Sequence, residues 1–233
     1  MPMSDIDLSL VRPQRAQSAT DQVFEALYSA ILSMDLAPGA KVSEVEIAKS
    51  LGVSRQPVRD AFYRLSELGL LNIRPQRATT ICHISPQAVH SAQFIRSALE
   101  IECLRAAMDL IEPGELTELE ENLIQQAEAS AAQDRMGFHN LDESFHQRIC
   151  EIAGHGKVWD LIRDQKVHMD RVRVLALSTD AQKKALKEHK DILRSVRDRQ
   201  LQTAQAHLKR HLARVLRTLG QVQDLHPDHF EGP

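Results

Sequence analysis

LGVSRQPVRDAFYRLSELGL, residues 51–70, reads as a tight turn followed by an amphipathic helix. Gly52 is able to take the left-handed backbone that closes one helix, and Ser54 is placed to cap the next. Pro57 falls in the first turn, where a missing N–H breaks no intrahelical bond. Val58, Ala61, Phe62, Leu65 and Leu68 recur at three-and-four spacing and form one apolar stripe. Arg55 and Arg59 lie one turn apart on the remaining face, with Gln56 beside them. Such a helix suits the second position of a helix-turn-helix, its N-terminal end presenting two guanidinium forks to phosphates or to guanine O6 and N7. Taken alone, the same spacing also describes an ordinary amphipathic surface helix.

The flanking sequence favours the first reading. Ser43-Glu44-Val45-Glu46 has the form of a capping box, and Val45, Ile47, Ala48 and Leu51 supply apolar positions for a short helix before the turn. Upstream, Thr20 to Ser33 carries Val23, Leu27, Ala30 and Ile31 at helical spacing, and Pro38-Gly39 marks a turn. Downstream, Leu71 to Arg74 and Thr79 to His83 are β-branched, strand-like segments joined through Pro75-Gln76-Arg77-Ala78. These predict three helices and a two-stranded wing, with Arg74 and Arg77 near the wing tip, within reach of the backbone or minor groove.

The charge is local. Between Val53 and His83 stand five basic residues (Arg55, Arg59, Arg64, Arg74, Arg77) against two acidic ones (Asp60, Glu67), while the 233-residue chain is formally −3. A general nucleic-acid coat is therefore excluded, and site-directed, salt-dependent DNA binding is expected.

LAPGAKVSEVEIAKSLGVSRQPVRDAFYRLSELGLL resembles the winged helix-turn-helix of the GntR family of bacterial transcriptional regulators, over roughly residues 18–84. The resemblance implies that Ser54, Arg55 and Arg59 are DNA contacts, with the wing as a second contact. One position departs from the pattern: Ala78 follows Arg77 where members often have glycine at the wing tip.

The rest of the chain is long enough for a second domain. Residues 1–17 are polar and read as a mobile arm, in which Arg12 and Arg15 are candidate DNA contacts; residues 18–84 form the DNA-binding unit, with a boundary near Ile84-Ser85-Pro86. Beyond it, Pro86–Leu110, Pro113–Gln133, Arg135–Ala153, Lys157–Ser178, Ala181–Gln200 and Leu201–Val222 are helix-like. The expectation is an all-α bundle over 85–225 and a tail over 226–233, so that the whole protein is mostly α.

Histidine carries the chemistry of this second part. Asp142 and His146 are four apart in LDESFHQRI and share a helical face. If a turn falls near Arg199 to Leu201, His189 and His211 are equidistant from it, and antiparallel helices bring them to one height. Three imidazoles and one carboxylate suit a borderline divalent cation, zinc first, with nickel or manganese as alternatives. Accidental pairing in a chain of eleven histidines, such as His207 with His211, is the other reading of the spacing.

A GntR-type domain followed by an all-helical domain is similar to the FadR-like branch with an FCD effector domain. The resemblance implies metal binding through the Asp-x-x-x-His pair and two later histidines, the pattern occupied in order by Asp142, His146, His189 and His211. Arg96 and Glu100 in FIRSALEIECLRAAM resemble the R-x-x-x-E near the start of that domain, which suits Arg96 to a carboxylate effector beside the metal. An intrahelical Arg96–Glu100 ion pair on a solvated face is the alternative, and Arg171 and Arg173 are weaker candidates for the effector role.

No apolar run is long enough to cross a bilayer and MPMSDIDLSLVRPQR lacks a signal-peptide core, so a cytoplasmic protein is expected. Cys82, Cys103 and Cys150 are odd in number and widely spaced, which predicts reduced, packed thiols. Two function classes follow. The first is a homodimeric transcriptional regulator on a pseudo-palindromic operator, modulated by a small carboxylic acid near the metal, or with a purely structural metal. The second is a metal-dependent hydrolase or lyase using the same His3Asp centre. For the second, a general base is not evident: Glu143 points about 100° from Asp142 on the helix.

Overall fold

The computed structural model describes residues 18–74 and 76–232; the arm expected at 1–17 falls outside them. The N-terminal unit is built from α1 (Ala19–Leu32), α2 (Glu44–Leu51) and α3 (Arg55–Glu67). Ser18 caps α1 by accepting the Asp21 N–H at 3.1 Å. Gly52 closes α2 with φ at 66°, as its lack of a Cβ permits. Ser43 and Ser54 occupy the N-cap positions of α2 and α3 with extended backbone but make no side-chain cap bond, so the expected Ser43 capping box does not form. Val23, Leu27 and Ile31 of α1 pack on Val58, Ala61, Phe62 and Leu65 of α3, as the apolar stripe requires. Truncating Phe62 in such a core costs about 3–5 kcal/mol. In α2 only Ala48 is fully buried; Val45 and Leu51 face outward, because a two-turn helix packed along one ridge cannot bury its whole circumference.

Two strands, β2 (Leu71–Asn72) and β3 (Thr79–Ile81), form the expected antiparallel wing, with Leu71 opposite Ile81. A third strand, β1 (Lys41–Val42), pairs on the other side of β3, giving the order β1-β3-β2. Two residues are too few for a period-two pattern, so β1 was not legible in the sequence. At the wing tip the left-handed residue is Gln76, with φ at 59°, and the Arg77 N–H donates to the Arg74 carbonyl at 3.3 Å. Ala78 therefore carries no left-handed demand.

The second unit comprises α4 (Pro86–Leu110), α5 (Pro113–Ala131), α6 (Arg135–Ile152), α7 (Gly156–Gln165), α8 (Val167–Leu175), α9 (Thr179–Arg197), α10 (Leu201–Leu212) and α11 (Arg214–Leu225). Two helices expected to be continuous are broken. Lys157–Ser178 divides at Lys166, whose side chain is drawn inward onto Glu143 and Asp170. Leu201–Val222 divides at Ala213. Leu104, Phe138, Phe145, Ile162, Ile192 and Leu208 centre the main bundle core. A smaller core joins Ile84 and Val89 to Met169, Val172, Leu219 and Phe230.

The segment expected as a tail is docked. Phe230 is buried, the Ile84 N–H donates to the His229 carbonyl at 2.8 Å, and the Glu231 N–H donates to the Ile84 carbonyl at 3.0 Å. The α9–α10 turn is held by Arg199, whose guanidinium caps the end of α4 on the Met108 and Ile111 carbonyls. That hairpin sets His189 against His211.

Candidate metal centre and DNA-binding face

Asp142, His146, His189 and His211 converge from α6, α9 and α10, all buried, with one donor atom of each within 4.8 Å of the others. His146 Nε2 lies 3.2 Å from His211 Nε2, and His189 Nε2 lies 3.3 Å from His211 Nε2. Asp142 Oδ1 is 3.5 Å from His189 Nε2.

Acceptors behind His189 and His211 fix their tautomers. The His189 Nδ1–H donates to Gln126 Oε1 at 2.9 Å and the His211 Nδ1–H to Glu188 Oε2 at 2.9 Å, while His146 Nδ1 is 2.7 Å from Glu100 Oε2. With Nδ1 carrying the proton, the Nε2 atoms of His189 and His211 each turn a bare lone pair toward the shared centre. Burial, then the neighbouring imidazoles, hold His189 and His211 well below the usual histidine range, so both rings are neutral. Asp142 is held well below the usual carboxylate range: burial opposes the charge, and the Arg173 guanidinium outweighs it.

The facing lone pairs of His189 and His211, at 3.3 Å, repel unless a cation lies between them. Metal–nitrogen bonds of about 2.0–2.1 Å at the tetrahedral angle separate nitrogens by roughly 3.3 Å. The donor set and its spacing therefore fit a borderline divalent ion, and the second ring nitrogens are held as metal-bound histidines require.

A cavity of about 1110 Å³ opens on this centre, lined by Asp142 and His211 and by eight arginine and lysine side chains against four carboxylates. Arg96 and Arg173 reach it from α4 and α8. Arg96 does pair with Glu100, Nε to Oε1 at 2.5 Å, but on a buried face rather than a solvated one. Its Nη2 has no hydrogen-bond partner among the described residues. Burial opposes the Glu100 charge, yet the Arg96 guanidinium and His146 hold its pKa at about 2. Arg173 grips Asp142 and lies 2.7 Å from Glu143. Arg171, the other sequence candidate, is not at the cavity: it donates to the Cys82 carbonyl at 2.8 Å, at the junction of the two units.

A second group, His139, Glu143 and Asp170, also has ligand spacing. Its cation is already supplied: the buried Lys166 ammonium contacts Glu143 and lies 2.5 Å from Asp170. Glu143, so engaged, is no general base. His207 stands apart from the centre and meets Ser195 Oγ at 3.4 Å. Cys103 and Cys150 are both free and buried in the main core, on α4 and α6. The supporting residues Glu100, Gln126, Glu188 and Lys166 were missed as such in the sequence, since only spatial proximity distinguishes them from other surface-type residues.

On the other unit, Ser54, Arg55, Gln56, Arg59, Arg74 and Arg77 are all exposed. One carboxylate oxygen, Glu44 Oε2, lies 3.5 Å from both Arg55 Nη2 and Arg59 Nε, and Gln56 Nε2 donates to Asp60 at 2.8 Å. Arg74 Nε donates to Asn72 Oδ1 at 3.2 Å.

A winged helix-turn-helix joined to a helical domain with a buried histidine centre and a cationic cavity defines a sensor-type DNA-binding regulator. Residues 19–81 match the family model for bacterial regulatory proteins, gntR family, and residues 93–214 match the FCD domain. The chain is 34% identical over 215 residues to the HTH-type transcriptional repressor RspR of Escherichia coli K12, covering 92% of this chain and 94% of the relative. It therefore belongs to the GntR family of bacterial transcriptional regulators, with a C-terminal FCD domain. Among solved structures, E. coli McbR/YncC superposes with a TM-score of 0.77 at 22% identity, over 88% of this chain and 98% of that one. A GntR transcriptional regulator from Rhodococcus sp. RHA1 superposes at 0.71 and 25% identity, over 88% and 99%. These families and relatives are regulators, not enzymes, so the hydrolase reading of the histidine centre is set aside. Among the described residues no helix is long and apolar enough to cross a membrane.

Proposed function

We propose that the protein is a cytoplasmic homodimeric regulator that binds a pseudo-palindromic operator and is modulated by a small carboxylic acid bound beside a divalent metal. The observation that carries this reading is the unpartnered Nη2 of buried Arg96 at a cavity shared with Asp142 and His211. A buried guanidinium with an unmade hydrogen bond favours a planar anion, and the cationic lining raises the local concentration of one.

Asp142, His146, His189 and His211 would hold the metal, and the metal when bound would supply a Lewis-acidic position for a ligand oxygen. Arg96 fixes the orientation of the carboxylate, and Arg173 keeps Asp142 ionised and in place. On DNA, Arg55, Gln56 and Arg59 read the major groove with Ser54 at the helix start, and Arg74 and Arg77 touch the backbone from the wing. Dimerisation follows from operator symmetry, in which each protomer supplies one recognition helix.

The test is metal analysis of the purified protein with a thermal-shift screen of small carboxylic acids. Stabilisation by one acid class that is lost in Arg96→Lys, whose ammonium cannot bind bidentately, supports the reading. Stabilisation that survives in both Arg96→Lys and His211→Ala would place the effector elsewhere.

A further inference from the structure

Helix α8 is nine residues long and touches three different parts of the molecule. At about 100° per residue, Val167, Arg171 and His168 fall on one arc, Val172 and Met169 on a second, and Arg173 and Asp170 on a third, roughly opposite the first. The first arc belongs to the DNA-binding unit. Val167 is buried in the core formed by α1 and α3. His168 Nδ1 accepts the Ser85 N–H at 3.2 Å, and the same ring packs against Gly69, in the turn that ends the recognition helix, where an added Cβ would lie 3.3 Å from Nε2. Arg171 donates to the Cys82 carbonyl, just beyond β3. The third arc belongs to the histidine centre, where Arg173 grips Asp142 and Asp170 holds Lys166.

One short helix thus bonds a metal-site carboxylate on one side and, on the other, meets both ends of the segment running from the recognition helix through the wing to the interdomain boundary. His168 joins both ends of that segment to α8, beside the Arg171 bond to Cys82. Its Nδ1 holds the Ser85 N–H and its Nε2 edge lies against Gly69, whose φ of 73° and lack of a Cβ let the ring approach that closely. Burial first, and then Arg171, push its pKa down to about 4, so the ring is neutral and keeps one donor and one acceptor.

We propose that α8 couples the histidine centre to the recognition helix, with His168 as the positioning residue that sets the winged helix-turn-helix on the effector domain. This rests on the metal reading of Asp142, His146, His189 and His211. A cation drawing on Asp142 changes the load on Arg173; because α8 is a single rigid element, the change reaches Gly69 and Ser85 without an intervening loop.

The test is hydrogen exchange on the full chain, with and without zinc, in the wild type, His168→Ala and His168→Asn, zinc binding being measured in parallel. In the wild type, zinc is expected to protect α6, α9 and α10 and also residues 66–72 and 82–88. In His168→Ala, zinc binds with unchanged stoichiometry and protects the three helices. Residues 66–72 and 82–88 then exchange about fivefold faster and cease to respond to zinc, as loss of the ring's packing at Gly69 and of its hydrogen bond at Ser85 implies. His168→Asn, which keeps an acceptor for the Ser85 N–H, recovers the response at 82–88 and serves as the control for folding. Zinc that protects α6, α9 and α10 while leaving 66–72 and 82–88 unchanged in the wild type would overturn the coupling, as would a wild-type response in His168→Ala. Absence of protection at α6, α9 and α10 would remove the metal reading, and this proposal with it.

Discussion

His189 and His211 face each other through their Nε2 atoms at 3.3 Å, each with an oxygen acceptor bonded behind the ring. A pair of lone pairs is thereby pointed at one place, and the fold bears that repulsion when no cation is bound. Zinc is accordingly expected to raise the thermal midpoint, with about 4 kcal/mol of stabilisation when free metal exceeds Kd a thousandfold. His211→Ala should abolish the shift in a calorimetric scan; an undiminished shift would mean the ion sits elsewhere.

Glu100 serves both Arg96 and His146. Glu100→Gln leaves a buried guanidinium without its counter-charge, which costs about 3–5 kcal/mol. It also weakens the support of His146, so metal affinity should fall about 10- to 100-fold. Denaturant titration and competition with a chelating dye measure the two effects separately.

Lys166 fills the cation position between Glu143 and Asp170. The wild-type protein is therefore expected to bind one equivalent of metal per chain. Two tightly bound equivalents by elemental analysis would show that the lysine gives way.

Among the described residues Arg55 and Arg59 pair with the partly exposed Glu44 alone, so replacing either with alanine should change stability by no more than about 0.5 kcal/mol. Operator affinity should drop about 5- to 150-fold if the lost side chain reads a guanine. If it contacts a phosphate instead, the slope of log affinity against log salt should fall by about 1. A gel-shift titration at several salt concentrations separates the two, and unchanged binding in both variants would refute the docking of α3.

The depressed pKa of His168, about 4 against an ordinary 6.5, makes stability depend on pH at the domain junction. The groups facing it are Arg171, Glu231, the Gly69 backbone and the Ser85 N–H. The unfolded chain protonates this ring first, so its contribution is complete above about pH 6.5 and declines as pH falls toward 4, by at most about 1.4 kcal/mol per unit. Urea titrations across that range should show a steeper acid loss in the wild type than in His168→Gln. Parallel curves for the two would be incompatible with a buried neutral ring.

The recognition helix was legible in residues 51–70, because glycine at a left-handed turn, proline in a first turn and a three-and-four stripe are local signals that packing only fulfilled. The convergence of the histidine cluster was legible for a related reason: Asp142 and His146 share one helical face, and a hairpin turn brings two equidistant residues to one height. Helix breaks were not. Lys166 and Ala213 carry no local stop signal, and the chain divides at Lys166 where a buried ammonium finds two carboxylates from elsewhere in the fold. Strand β1 exists only because β3 offers it an edge.

The two-part architecture, the exposed arginine face of α3 and the four residues of the buried histidine–aspartate cluster were all readable along the chain, because each is periodic or equidistant in it. Tertiary structure alone decided what those residues are attached to. Glu100, Gln126 and Glu188 behind the histidines, Lys166 in place of a second cation, and α8 between centre and recognition helix depend on contacts between distant segments. Such contacts have no period in the sequence, since packing of whole helices rather than local spacing creates them.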